Sequence, residues 1–290
     1  MMKVTVTAAD SKAGVEIVRG LASAGFVVRS ATRRPHPAAA GSRQEHVLID
    51  FLRPDTLRPA FAEADAAVLI VPEDSMMVPM TDNLVAAAAR AEVERLVLIS
   101  FLHAGREAAG PVLTWHRKTE EIVGASPLAG TCLRPNYYMQ DFLAAHQPAV
   151  SFGGGRVSYV DARDVGDVVA GVLSGPGHEG RTYSLTGPRA LSVRDVAEEL
   201  SRGEMTSGSS ELGWEELCLP SRRSAHPFLV QALCDLWSAA SEDRFATVTD
   251  DVERLTGHRP RDFAQFVRDH PGQCRPLRLP DRAGPRAAAH

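Results

Sequence analysis

The sequence predicts an α/β fold: a doubly wound parallel sheet with a small, mainly helical C-terminal lobe. Three observations carry this. Short aliphatic runs such as AAVLIVP (residues 66–72) and RLVLIS (95–100) are apolar throughout, as strands covered on both faces are. Between the runs lie segments with apolar residues at helical spacing. The alternation stops near Pro135, beyond which helical patterns dominate.

KVTVT (3–7) is the first strand, and a helix follows over about 14–24, with Gly25 placed to end it in a left-handed turn. FVVRSAT (26–32) and HVLID (46–50) are the second and third strands, and 54–64 is a short helix. The fourth strand, 66–72, leads to a helix over 80–93, in which Asn83, Leu84 and Ala88 share helical spacing. The fifth strand, 95–100, leads to a helix over 113–126, and AGTCLRP (129–135) is the sixth strand. Crossovers between parallel strands are right-handed, so the arrangement is Rossmann-like. NYYMQDFLAAHQ (136–147) reads as an aromatic loop with a short helix. Residues 151–175 give a turn, a strand and a helix that return to the main sheet. Residues 181–202 add a strand and a helix capped by Ser192. The core is thus residues 1–135 with about 156–187, and 136–155 with 188–271 form a substrate lobe. Residues 204–213 are a polar loop, and 272–290, without periodicity, a disordered tail.

Of the 290 residues 44% are hydrophobic and 23% charged, the composition of an ordinary soluble globule. A net charge of -4 gives no reason to expect nucleic acid or an anionic membrane as partner. Only Lys3, Lys12 and Lys118 are lysines among 32 basic residues, a bias of GC-rich coding. Cys132, Cys218, Cys234 and Cys274 form no C-x-x-C pair and read as core thiols of a reducing compartment, hence a cytoplasmic protein. No secretory signal pattern precedes the first strand, and no run reaches the roughly 18 apolar residues of a membrane span.

Four segments, NLVAAAARAEVERLVLIS, TEEIVGASPLAGTCLRPNYYMQDFL, VSYVDARDVGDVVAGVLSGPGHEGRTYSLTGPRALSVRDVAEEL and VTDDVERLTGHRPRDFAQFVRDH, carry a family resemblance. From residue 4 to about 270 the chain resembles the NmrA-like atypical short-chain dehydrogenases, most specifically in VDARDVGDV followed by YSLTGP. The resemblance implies a Rossmann sheet, a small C-terminal lobe and a ligand cleft between them. It also implies a choice of activities: NAD(P)H-dependent reduction of quinones or enones, tailoring of secondary metabolites, or redox sensing. Fold does not choose among them. A non-redox cyclase, dehydratase or isomerase on the same scaffold stays open, as does the oligomeric state.

The family's turn motif, T-G-A-T-G-x-x-G, falls on Thr7–Ala8–Ala9–Asp10–Ser11–Lys12–Ala13–Gly14. Ala8 suits the first glycine's place if its φ is negative, and Ser11 puts a side chain where backbone would approach a pyrophosphate. Gly14 keeps the close helix–strand contact. Asp10 is the largest departure, because a helix N-terminus favours anions and a fixed carboxylate competes with phosphate for it. Like charges about 5 Å apart repel by roughly 3 kcal/mol at an effective dielectric near 20. Lys12 offsets part of this. Asp10 or Ser11 is therefore expected to cap the helix and close the turn, leaving no deep phosphate groove.

Other cofactor residues survive. Arg33 matches the family position that holds a 2′-phosphate, with Arg34 beside it, so NADP is the expected cofactor; a solvated basic turn is the plainer alternative. Asp50 matches the residue facing the adenine amine, or is a strand-end cap. Val71, Pro72 and Ser100 end strands whose C-terminal edges line a ligand crevice.

For chemistry, the Tyr-x-x-x-Lys pair of short-chain dehydrogenases is absent, since none of Tyr137, Tyr138, Tyr159 and Tyr183 has lysine four residues on. No G-x-S-x-G elbow offers a nucleophile. His116, with Glu120 four residues later to orient it, is the candidate proton-exchanging group, and His103 and Tyr137 lie within reach of the same cleft. Lys118 points elsewhere, into solvent. Trp115, Asn136, Tyr138, Met139, Phe142 and Phe152 are candidate pocket walls for a planar aromatic, quinone or polyketide-like substrate. Asp161, Asp164 and Asp167 invite a metal reading, but the resemblance makes the segment structural, with one Asp capping a helix and Arg163 bridging the lobes. No metal is expected.

Overall fold

The computed structural model describes residues 1–35, 44–105, 110–143, 155–203, 235–236 and 238–274. Strand β1 (Lys3–Thr7) leads to α1 (Lys12–Ser23), β2 (Val27–Thr32) and β3 (Gln44–Leu48). Then come α2 (Pro54–Phe61), β4 (Ala66–Leu69), α3 (Met77–Arg90), β5 (Arg95–Ile99), α4 (Gly110–Ala125) and β6 (Ala129–Pro135). A 3-10 turn, Met139–Phe142, precedes β7 (Arg156–Val157), α5 (Ala162–Ser174), β8 (Thr182–Leu185), β9 (Leu191–Ser192) and α6 (Val193–Gly203). Two short helices follow, α7 (Asp251–Thr256) and α8 (Phe263–Asp269).

Seven strands form one sheet in the order β3-β2-β1-β4-β5-β6-β8. Every pairing in it is parallel. This is the doubly wound arrangement, with the strand order reversing between β1 and β4. Strand alternation sends Val4 and Val6 to one face, where they meet Ile17 and Leu21 of α1 and Val165 and Val169 of α5. The opposite face packs Leu57 and Phe61 of α2 and Leu84 of α3 against Leu69 and Leu98. Thr5 and Thr7 are fully buried between these layers. Their hydroxyls are satisfied by the carbonyls of Ala60 (2.6 Å) and Ile70 (2.8 Å).

Helices α1 and α5 cross with backbone against backbone. A Cβ on Gly20 would lie 2.8 Å from the Gly166 carbonyl carbon, and one on Gly166 would lie 2.5 Å from the Glu16 oxygen. A third core, under the C-terminal lobe, gathers Phe142, Tyr159, Phe263 and Phe266 with Phe101 and Leu113.

Some details differ from the sequence expectation. The strand expected to rejoin the main sheet, β7, pairs antiparallel with β9 in a separate ribbon, and β8 takes the place beside β6. The ordered chain also runs past the start of the expected tail: Cys274 is buried and bridges Leu143. The polar segment 204–213, Phe152, Cys218, Cys234 and residues 275–290 lie outside the described residues. Among the described residues no helix is long and apolar enough to cross a membrane.

Candidate active site

A cavity of about 490 Å³ opens at the C-terminal ends of β1, β4 and β5. The β1–α1 turn lines one end through Ala8, Asp10, Ser11, Lys12 and Ala13. Ile70 to Glu73 and Ile99 to Phe101 line the middle, and His116, Tyr137, Tyr138 and Asp141 line the far wall. This is the switch point where the strand order reverses, the usual crevice of an open α/β sheet.

The turn is capped but not closed. Ser11 is the N-cap of α1, and its hydroxyl accepts the Gly14 amide at 3.0 Å. Its carbonyl accepts the Val15 amide, and its own amide donates to the Ala8 carbonyl, both at 2.9 Å. Among the described residues the amides of Lys12 and Ala13 make no hydrogen bond, and both residues line the cavity. Two first-turn donors and the positive end of the helix dipole thus remain for an anion, which fits a dinucleotide phosphate. The expected loss of a phosphate groove is corrected accordingly. Asp10 is exposed and lines the cavity without capping the helix. Ala8 adopts φ 45, the left-handed region where the family has glycine, so the requirement for a negative φ is not met. Gly14 performs its expected part: a Cβ there would lie 2.4 Å from the Ala8 oxygen.

Lys12 reaches across the cavity to form an ion pair with Asp141, and its ammonium lies 5.7 Å from the centre of the Tyr138 ring. Arg33 is exposed and lines the cavity, whereas Arg34 does not line it. Asp50 stays out of the cavity as well. Its carboxylate accepts the Leu52 amide at 3.0 Å, a strand-end cap, and Phe51 forms the adjoining wall. Val71, Pro72 and Ser100 line the cavity as expected.

His116 sits inside α4, 3% exposed, with its ring stacked on Phe101 at 5.8 Å between centroids. It faces the cavity, but Glu120 is not its partner. Glu120 binds Arg134 through both oxygens (2.8 and 2.5 Å) and accepts the Ser100 hydroxyl at 2.5 Å. The carboxylate that meets His116 Nε2, at 3.3 Å, belongs to Glu73, just beyond β4. Glu73 was missed by sequence reasoning because no local motif marks a residue that meets α4 from another loop. Burial works against the charge on Glu73. The hydrogen bond and attraction from His116 outweigh it, with a smaller pull from Lys12, and its carboxyl stays below the ordinary value. The other ring nitrogen, His116 Nδ1, is buried and has no hydrogen-bond partner among the described residues.

Tyr137 and Tyr138 both line the cavity. The Tyr137 ring meets Phe101 and Phe245 edge-on, each at 5.3 Å, and its hydroxyl oxygen is buried. Burial raises both phenols well above the ordinary value. His116 and Tyr137 are therefore parts of the wall, with His116 Nδ1 and the Tyr137 hydroxyl oxygen buried.

The remaining pocket candidates lie elsewhere. Asn136 is fully buried, donating to Ser158 and to the Phe245 carbonyl, a bracket between lobes. Met139 and Phe142 are core, and Phe142 packs edge-on against Tyr159 and Phe263. Trp115 packs against two hydrophobic cores, and His103, at φ 67, lies against the Phe245 ring. The NYYMQ segment is read as a wall by composition, yet only alternate packing demands decide which of its side chains face inward. Asp161 caps α5 through the Arg163 amide, and Arg163 bridges to Asp269 of α8. Asp164, Asp167 and His258 come together, but Arg261 already supplies the cation there, bonding Asp167 at 2.9 Å and pairing with Asp164.

Residues 8–176 match the sequence profile of a family described as NAD(P)H-binding. An NAD(P)H azoreductase of Xenophilus azovorans is 29% identical over 274 residues, covering 89% of this chain and 94% of the relative. A (4-alkanoyl-5-oxo-2,5-dihydrofuran-3-yl)methyl phosphate reductase of Streptomyces griseus is 30% identical over 281 residues, covering 92% and 97%. Among solved structures, an NADPH-dependent quinone oxidoreductase from Escherichia coli in complex with NADPH superposes with a TM-score of 0.75 at 24% identity, covering 91% of this chain and 98% of that one. A Citrobacter triphenylmethane reductase in complex with NADP(H) gives 0.77 at 21% identity, covering 92% and 99%.

Proposed function

The chain belongs to the NAD(P)H-binding family, and we propose that it is an NmrA-like atypical short-chain dehydrogenase acting as an NADPH-dependent reductase of planar aromatic acceptors. One observation carries the reading. A single cavity joins the free amides at the start of α1 to an aromatic wall built by Phe101, Tyr137 and Tyr138. A dinucleotide and a flat acceptor would meet in that space.

When bound, NADPH supplies a hydride. The chain's own residues supply everything else. The Lys12 and Ala13 amides and the Lys12 ammonium would hold the pyrophosphate, and Arg33 would hold the 2′-phosphate. Val71, Pro72 and Ser100 form the floor at the strand ends. Tyr137, Tyr138 and Phe101 offer ring faces and edges to an aromatic acceptor and keep water from it. His116 fixes Glu73 at the wall. The azoreductase and the quinone reductase, both acting on conjugated acceptors by name, support the substrate class. The reading includes a cytoplasmic setting, which the need for NADPH supports. It also includes a place in secondary metabolism, for which the furanone phosphate reductase is the supporting likeness.

The test is a fluorescence titration of the full chain with NADPH, NADH and NADP⁺, followed by turnover assays with quinones, azo dyes and triarylmethane dyes. Micromolar NADPH binding with turnover is expected. No binding at millimolar NADPH overturns the reading, and binding without turnover of any acceptor favours a regulatory sensor.

A further inference from the structure

The cavity follows the order of the strands beneath it. In the sheet β2 lies on one side of β1 and β4 on the other. Arg33 follows β2, the Lys12 and Ala13 amides follow β1, and Glu73 follows β4, and all of these residues line the cavity. A dinucleotide with its pyrophosphate on those amides and its 2′-phosphate on Arg33 therefore sends its other half over β4. Neighbouring strands are about 4.8 Å apart, so the end of β4 is one such step from the turn. Phe101, after β5, and Tyr137 and Tyr138, after β6, come next in the same order. The group that passes Glu73 is then the sugar between the pyrophosphate and the nicotinamide.

Glu73 has the valence to receive hydroxyls. Its Oε1 lies 3.3 Å from His116 Nε2, and its Oε2 has no hydrogen-bond partner among the described residues. The His116 ring is fixed by stacking on Phe101, and its Nδ1 meets no acceptor among the described residues. Nε2 presents a proton to Glu73 whether the ring is neutral or charged, so the contact holds in both states. The Glu73 side chain is 41% exposed and lines the cavity. Its neighbours at the strand ends offer a sugar little. Ile70, Val71, Ile99 and Phe101 are apolar, Pro72 has no amide hydrogen and its carbonyl accepts the Asp74 amide at 3.1 Å, and the Ser100 hydroxyl donates to Glu120. The other carboxylates of the cavity are placed elsewhere, Asp10 at the turn and Asp141 in its ion pair with Lys12. The Lys12 charge also attracts Glu73, which offsets repulsion between Glu73 and a bound phosphate. A carboxylate accepts both hydroxyls of a vicinal diol at once, and a charged acceptor makes the stronger hydrogen bonds.

Resting on the NADPH reading above, we propose that Glu73 is the ribose ligand of the nicotinamide half: its carboxylate accepts the 2′- and 3′-hydroxyls of that sugar, and His116 is the positioning residue that holds it there. The contact fixes the nicotinamide where the strand ends meet the aromatic wall.

Three ligands divide the nucleotide by length. 2′,5′-ADP ends on the adenosine side, 2′-phospho-ADP-ribose adds the pyrophosphate and the second sugar, and NADPH adds the nicotinamide. Each is titrated by calorimetry against the full chain of the wild type and of Glu73→Gln, with circular dichroism to compare folding. Expected in Glu73→Gln is a loss of about tenfold for both NADPH and 2′-phospho-ADP-ribose, the size of a hydrogen bond to a charged group, with 2′,5′-ADP unchanged. If Glu73→Gln fails to fold, Glu73→Asp, which withdraws the carboxylate by one methylene, takes its place with the same expected pattern. His116→Leu should reproduce part of the loss with the same two ligands, and His116→Gln, which restores an N–H donor, should recover affinity; unchanged binding in His116→Leu overturns the positioning role. An equal loss for all three ligands, a loss confined to NADPH, or no loss for any of them overturns the assignment of Glu73. A wild type that binds NADPH but reduces no quinone or dye loses the reductase reading, while the three-ligand comparison still judges Glu73. A wild type that binds none of the three overturns both.

Discussion

Lys12, in the first turn of α1, and Asp141, in the 3-10 turn after β6, form an ion pair across the mouth of the cavity. They are 129 residues apart in sequence, and the pair joins the phosphate turn to the aromatic wall. It sets a competition, because the ammonium that would face a pyrophosphate is engaged by a carboxylate of this chain. Asp141→Asn is therefore expected to tighten NADPH binding by about 1 kcal/mol, roughly fivefold, and Lys12→Ala to weaken it by a similar amount. Fluorescence titration checks both, and a weaker affinity in Asp141→Asn would show that the pair builds the site rather than competing for it.

Arg33 is exposed on the cavity rim, with nothing among the described ion pairs to hold it. Arg33→Ala should cost NADPH about 1.5–3 kcal/mol, the size of a charge-assisted hydrogen bond, and leave NADH affinity nearly unchanged. Equal losses for both nucleotides would sink its assignment to the 2′-phosphate.

The β1–α1 turn yields separable effects on stability and binding. Ala8 at φ 45 carries left-handed strain, so Ala8→Gly should stabilise the chain by about 0.5–1 kcal/mol after the added entropy of glycine. Ser11→Ala removes the helix cap and should cost about 1 kcal/mol. Asp10→Asn leaves the cap in place and removes an exposed carboxylate from the anion site. NADPH affinity should rise by about 1 kcal/mol at low salt, and by less as salt screens the charge. Thermal unfolding with parallel NADPH titrations tells these apart, and a loss of affinity in Asp10→Asn contradicts the repulsion argument.

Burial pushes the Cys132 thiol up to about 12, with Glu120 adding to the shift. At pH 8 only about one molecule in ten thousand would carry the thiolate. Alkylation of Cys132 by iodoacetamide, read by peptide mass spectrometry, should be very slow at pH 8 and rise about tenfold per pH unit up to pH 11 in the folded protein. Rapid labelling at pH 8 would show that the thiol is not shielded.

How much of this was legible from the chain varies residue by residue. The apolar runs at 66–72 and 95–100 announce buried parallel strands, because only a strand covered on both faces can be apolar at every position. Ser11 and Gly14 could be assigned from local chemistry, since a cap and a close helix–strand contact depend on near neighbours. The strand-end residues Val71, Pro72 and Ser100 follow from topology alone, whereas Arg33 follows from the family resemblance. The partner of His116 could not be read this way. Helical spacing offers Glu120, four residues on, but Arg134 and Ser100 bind Glu120 from the neighbouring strands, and Glu73 arrives from the loop after β4. Likewise NYYMQDF is aromatic to the eye, yet its polar and apolar members divide between core and cavity only when the lobes pack. Asn136 turns inward to satisfy the Ser158 and Phe245 backbone, Met139 and Phe142 fill the second core, and Tyr137 and Tyr138 are left to the cavity. Sequence by itself determined the parallel strands, the switch point, the Ser11 cap and the Gly14 contact, which rest on local periodicity and near neighbours. Tertiary structure alone decided which carboxylate meets His116, which one holds Lys12 and which rings face the cavity, because those contacts join residues far apart in the chain and are settled by the competition for buried space and hydrogen-bond partners.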